Sequence, residues 1–184
     1  MRTLLPDPPP APFDELLAQR ERWGADRRDE VWEGVLHMNP PPTYEHQVIA
    51  QQLAELLGPL ARQAELAAVV QEFALGDSND YRVPDGGLHR PGASGVWHPT
   101  AALVIEIVSA GDETWNKLPF YAAHQVDELL IVDPYKRTAD WLALTDRGYE
   151  PISQSQLIDL ALPENRVTLS GGAESPLPWQ RPRA

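Results

Sequence analysis

Between Ala101 and Val108 the chain runs Ala-Ala-Leu-Val-Ile-Glu-Ile-Val, apolar throughout except at Glu106. The run is far shorter than the roughly 20 residues needed to cross a bilayer. Its composition therefore predicts a strand buried on both faces, continuing to Ser109. A carboxylate in such a strand is costly to charge unless a cation or a metal pairs with it. A fold for this chain has to deliver that partner. Glu128–Asp133 is a second buried strand, ended by Pro134, and Gly111–Thr114 leads into a helix from Trp115 to about His124 between the two.

The rest of the chain supplies the surrounding layers. Phe13–Gly24 reads as a short amphipathic helix, and Glu30–Met38 as a strand pair or bent strand. Thr43 is an N-cap for a helix from Tyr44 to about Glu65, with Val48, Ile49, Leu53, Leu56, Leu57 and Leu60 at helical spacing and Pro59 inside it. Ala67–Leu75 reads as one strand, and Tyr81–Leu88 as a second after a turn at Gly76–Asp80. Residues 89–100 read as a loop, and Thr138–Leu144 as an alternating, more exposed strand. The order of elements predicts an α/β sandwich of mixed sheet. Residues 1–12 form an extended proline-rich arm, 13–170 a single domain, and 171–184 a Pro- and Gly-rich tail.

Composition narrows the function. With no cysteine, disulfides, Cys-zinc sites and thiol nucleophiles are excluded. No apolar run approaches 18 residues and the N-terminus has no signal-peptide h-region, so the expectation is a cytoplasmic protein without a membrane partner. A formal charge of -12 argues against nonspecific coating of nucleic acid, which rests on many Lys and Arg contacts to phosphate. It does not exclude a nuclease, whose acidic site a divalent cation offsets.

Only two of the fifteen basic residues are lysines, and one of them is Lys117, on the helix that follows Glu106. Asp85 follows Pro84 at the end of the strand-like Tyr81-Arg82-Val83. Asp85 and Glu106 could converge on one hard cation, Mg2+ or Mn2+, with the carbonyl of Ile107 as a further ligand. Lys117 would then orient a water or neutralise the pentavalent oxyanion. Singly, each has a structural account: Asp85 in a turn, Glu106 paired with an arginine, Lys117 solvated. Together and in this order they favour a site.

The stretch from Arg82-Val83-Pro84-Asp85 through Leu103–Ser109, Lys117–Tyr121, Val126-Asp127-Glu128 and Ile131–Pro134 resembles the putative restriction endonuclease family of bacteria, a branch of the PD-(D/E)XK nuclease superfamily. Trp32–Leu36, Asn39-Pro40-Pro41 and Glu45-His46-Gln47 resemble its N-terminal half, so the similarity spans roughly residues 15–145. The resemblance implies a restriction-endonuclease-like mixed β-sheet core flanked by helices. It also implies Asp85 and Glu106 as metal ligands and Lys117 as the catalytic lysine. In the wider superfamily that lysine lies two residues after the glutamate, where this chain has Val108, so it has moved to the helix. Ala110 replaces the family's usual proline, and Gly86-Gly87 its usual apolar residues.

His46, at the start of the long helix, is a candidate phosphate contact or proton shuttle, or simply a histidine bonded to nearby backbone. Glu33 is a candidate accessory metal ligand or an exposed strand residue, and Glu30 a lesser candidate. The other histidines lack metal-binding spacing. The sequence thus points to a metal-dependent nuclease acting on nucleic acid, DNA foremost, as a homodimer. The competing readings are a catalytically silent nuclease-fold binding or assembly module, and an enzyme on a small phosphorylated molecule, for which no phosphate cradle is visible.

Overall fold

In the computed structural model the residues described are 3–6, 13–69, 73–111, 113–161 and 166–168. The apolar run forms the strand Leu103–Ile107 (β9), buried at every position, and Glu128–Asp133 (β10) lies parallel beside it, Glu106 opposite Ile131. Parallel neighbours need a crossover. The chain makes it through a 3-10 turn, Thr114–Lys117, and the helix Leu118–Ala123 (α3). The helix expected from Trp115 therefore starts as a tighter turn, and Pro119 stands in the first turn of α3, where its missing N–H costs nothing.

Strand periodicity then fixes which way Glu106 faces. Leu103, Ile105 and Ile107 join Leu130 and Val132 in a core under the helix Tyr44–Gln63 (α2), with Ile49, Leu57 and Ala61. Val104, Leu129 and Ile131 pack on the other face, with Tyr121 of α3 and Val126. Glu106 shares the Val104 face. Each Leu or Ile buried in these layers stabilises the fold by about 1.5–3 kcal/mol. Thr43 caps α2 as expected, its hydroxyl accepting the His46 N–H at 3.2 Å. Pro59 is accommodated within α2, but Leu56 points to solvent, because the buried stripe runs through Ile49, Leu57 and Ala61.

Among the described residues there are two sheets. In chain order the remaining elements are β1 (Thr3–Pro6), α1 (Asp14–Arg22), β2 (Glu30–Trp32), β3 (Val35–Met38), β4 (Ala67–Val69), β5 (Ala74–Gly76), β6 (Tyr81–Arg82), β7 (Gly86–His89) and β8 (Trp97–His98), then β11 (Thr138–Thr145), β12 (Gly148–Pro151) and β13 (Arg166–Thr168). One sheet has the order β1-β3-β2-β6-β5-β8, and the other β12-β11-β10-β9-β7-β4, with β13 also on β11. The expected strand Ala67–Leu75 is thus two, β4 and β5, in different sheets, and residues 70–72 lie outside those described. Tyr81–Leu88 divides likewise: β6 pairs in the first sheet, β7 in the second, and Pro84-Asp85 spans the crossing. A pair of residues, Trp97 and His98, adds β8 within the expected loop.

β11 is more buried than its alternation suggests. Glu128 accepts hydrogen bonds from Trp141 Nε1 (2.8 Å), Ser155 Oγ (2.7 Å) and the Gln156 N–H (2.6 Å), which holds the following segment over Trp141. Part of the expected N-terminal arm, Thr3–Pro6, pairs antiparallel with β3. The expected tail at 171–184 lies outside the described residues. The architecture is the α/β, mixed-sheet fold expected from the sequence.

Candidate active site

Glu106 leaves β9 toward α3, and α3 returns two donors to it. Lys117, closing the 3-10 turn, places Nζ 2.9 Å from Glu106 Oε1. Tyr121, four residues on and so on the same helix face, donates its hydroxyl to that oxygen. Glu106 Oε2 accepts no hydrogen bond from a described residue, and Glu106 lines a cleft of about 330 Å³. Lys117 also reaches the first sheet, donating to Glu30 Oε1 on β2 at 3.0 Å. Glu30 is held in turn by the Val83 N–H (2.9 Å) and Trp32 Nε1 (2.7 Å).

Asp85 sits where the chain crosses between sheets. Its Oδ2 accepts the Ile107 N–H at 2.8 Å, which fixes it beside the end of β9. His46, in the first turn of α2, places Nε2 2.9 Å from Asp85 Oδ1, and Arg28 Nη2 lies 3.5 Å from the same oxygen. On its other side His46 Nδ1 is 3.3 Å from Ser109 Oγ. Asp85 offers only acceptors once ionised, so His46 Nε2 is the donor between them. The first sheet and α3 are clamped nearby by Arg82. Its guanidinium carbon stands 4.5 Å from the Trp32 ring centroid and 4.0 Å from that of Phe120 in α3, while Nη1 donates to the Val31 carbonyl at 2.7 Å.

The electrostatics follow from three carboxylates crowded around one ammonium. Burial, with the charges of Asp85 and Glu30, pushes Glu106 up to about 8 against the opposing pull of Lys117 and the Tyr121 hydrogen bond. Burial also works against charge on Glu30, but Lys117, the Val83 N–H and the Trp32 indole outweigh it and leave Glu30 below its ordinary value. Asp85 is likewise lowered: burial opposes its charge, and the His46 contact and the Ile107 N–H more than compensate. For Lys117 burial favours the neutral amine, yet the flanking Glu106 and Glu30 prevail and hold it charged, its pKa well above the usual lysine value. Glu106 is therefore the carboxyl that keeps a proton at neutral pH.

Asp85, Glu106, Ile107, Lys117 and His46 all line one cleft. Glu33 does not join them. It lies exposed in the β2–β3 turn at φ 49°, and its N–H bonds Asp80 Oδ1 at 3.4 Å. The acid that this hairpin delivers is Glu30. The structural pairing of Glu106 with an arginine gives way to Lys117, which is buried and not solvated. Glu30, the lesser candidate, joins the site, and Tyr121, Arg28 and Ser109 complete it beyond the expected set. Tyr121 was visible in principle, four residues after Lys117 on one helix face, whereas Glu30 depends on a contact between sheets that no local pattern encodes.

The match to the Uma2 family, described as putative restriction endonuclease, covers residues 13–170. The chain belongs to the Uma2 family. No curated protein matches it. Among solved structures it is similar to a putative nuclease belonging to DUF820 from Anabaena variabilis ATCC 29413, with a TM-score of 0.58 and 16% identity over 73% of this chain and 87% of that one. At that identity the likeness speaks for the fold, which is restriction-endonuclease-like, while the family description supports a nuclease function.

The donor set of this Uma2 protein fits a hard divalent cation. Asp85 and Glu106 offer carboxylate oxygens, Glu106 Oε2 has no hydrogen-bond partner among the described residues, and burial, together with the nearby charges of Asp85 and Glu30, raises the cost of leaving Glu106 ionised without a cation. No group of three His, Asp or Glu arranged to hold a metal occurs among the described residues, so the further ligands would be water and the Ile107 carbonyl. No helix among them is long and apolar enough to cross a membrane.

Proposed function

We propose that this Uma2 protein is a divalent-metal-dependent nuclease that hydrolyses phosphodiester bonds of nucleic acid, with DNA the expected substrate. The observation that carries the reading is the Lys117 ammonium held 2.9 Å from Glu106 and 3.0 Å from Glu30, in the cleft that Asp85 also lines. Mg2+ or Mn2+, held by Asp85, Glu106 and the Ile107 carbonyl, would supply Lewis-acid charge and a water of lowered pKa. Lys117 meets the charge that builds on the phosphoryl oxygens as the pentavalent state forms, and needs no reorganisation because two carboxylates already fix it. Tyr121 holds Glu106 in place for both roles. His46 Nδ1 is positioned to take up a proton released at the cleft.

Cleavage of labelled DNA and RNA in Mg2+ or Mn2+ tests this. Wild type should cut, and Lys117→Ala should lose about 100-fold or more of kcat, the scale of losing one preorganised charge-stabilising group. Absence of cleavage by wild type under all these conditions, with the fold intact, would leave the silent binding module as the better reading.

A further inference from the structure

We infer that this cleft takes nucleic acid as a single strand, with a base stacked on Tyr135, an inference that rests on the nuclease reading for the identity of the bound polymer. The groups that meet the phosphate lie at the bottom: Glu106 is 3% and Lys117 7% exposed. The cleft is lined further by Pro40–Pro42, in the loop between β3 and α2, and by Ser109–Gly111, in the loop after β9. The fixed φ of three consecutive prolines keeps the first of these walls stiff. About 330 Å³ suits a ligand of roughly one nucleotide. A paired strand carries its phosphates on a rigid rod with the partner strand beside it, whereas an unpaired strand can thread one phosphate to the floor and turn its base outward.

The charge of the lining points the same way. Arg28 and Lys117 are its cationic side chains, against the carboxylates Glu30, Asp85 and Glu106. Duplex affinity is built on many neutralised phosphates, and this surface offers few. What it offers at the mouth is an aromatic. Tyr135 lines the cleft and is 64% exposed, while its N–H and that of Lys136 are pinned to Asp133 Oδ1 at 3.0 and 2.9 Å. A largely exposed ring on a fixed backbone is the kind of platform on which bases stack irrespective of sequence. Tyr44, also exposed, begins α2 directly after the lining residue Thr43 and offers a second ring. A single strand has no two-fold axis to match, so the reading does not call for the homodimer expected from sequence.

The test is binding of fluorescent oligonucleotides, one sequence as a single strand and as a blunt duplex, to the full-length Glu106→Gln protein, with cleavage of both forms by wild type. The single strand should bind at least 10-fold tighter, and its affinity should fall only gently with salt, since few phosphates are neutralised. In the same Glu106→Gln protein, adding Tyr135→Ala should weaken binding about 5- to 100-fold and Tyr135→Trp should preserve it. In otherwise wild-type enzyme, Tyr135→Ala should raise KM and leave kcat within about twofold. Equal or tighter duplex binding, or indifference to Tyr135→Ala, overturns the inference. Equal cutting of both forms overturns it too, while leaving the nuclease reading intact. Tight, Tyr135-dependent binding of the single strand without any cleavage does the reverse: the inference stands and the nuclease reading falls.

Discussion

Glu106 is the residue on which the site's energetics turn. Its carboxyl is held up at about 8 by burial and by Asp85 and Glu30, against an ordinary value near 4.5. Between those values the folded protein binds a proton that the unfolded chain has released, so metal-free stability should fall as pH rises across that window. Glu30 and Asp85, whose values are lowered, act in the opposite sense: their contribution is present above the ordinary carboxylate range and is lost as pH falls below it. Glu106→Gln keeps an acceptor for Lys117 and Tyr121 but cannot titrate. Urea unfolding at pH 5 and pH 8 should show wild type losing on the order of a few kcal/mol between them and the variant losing much less. A wild type as stable at pH 8 as at pH 5 would mean that Glu106 is already ionised in the folded state.

At the scale of elements, whatever depends on local periodicity was legible and whatever depends on sheet assignment was not. The Thr43 cap, α2, β9, β10 and the return of α3 all follow from spacing and composition. Alternation cannot say which sheet a strand joins, so 67–75 and 81–88 each looked like one strand while the chain in fact changes sheets within both. That change is what sets Asp85 beside the end of β9 and brings Glu30 under Lys117. Gly87, one of the two glycines that stand where the family usually has apolar residues, meets a packing requirement. A Cβ on Gly87 would lie 2.6 Å from the Leu103 carbonyl oxygen and 3.0 Å from the Phe73 ring, so only glycine lets β7 approach β9 here. Gly87→Ala should therefore cost about 1–3 kcal/mol in denaturant unfolding, and should lower kcat through displacement of Asp85 two residues away. Thr43→Ala removes the N-cap that holds the His46 N–H and should cost about 1 kcal/mol. Full stability in the Gly87→Ala protein would show that β7 can move away from β9 freely.

The whole molecule carries a formal charge of -12, and a field of that sign attracts any cation. A rise in melting temperature on adding Mg2+ is therefore no evidence of a site by itself. Protons separate the two cases. Screening of dispersed surface carboxylates, already ionised at neutral pH, displaces few protons, whereas a cation held by Glu106 must displace the one it keeps up to about pH 8. Calorimetric titration of Mn2+ in two buffers of different ionisation enthalpy should show close to one proton released per ion at pH 7. Affinity should rise up to about tenfold per pH unit and level off above 8. Glu106→Gln should keep the diffuse, salt-screened part of the binding and lose both the proton release and the pH dependence. Binding that is pH-independent in wild type, or unchanged in Glu106→Gln, would assign the ion to the general field of the molecule and leave Lys117 as the counter-charge of Glu106.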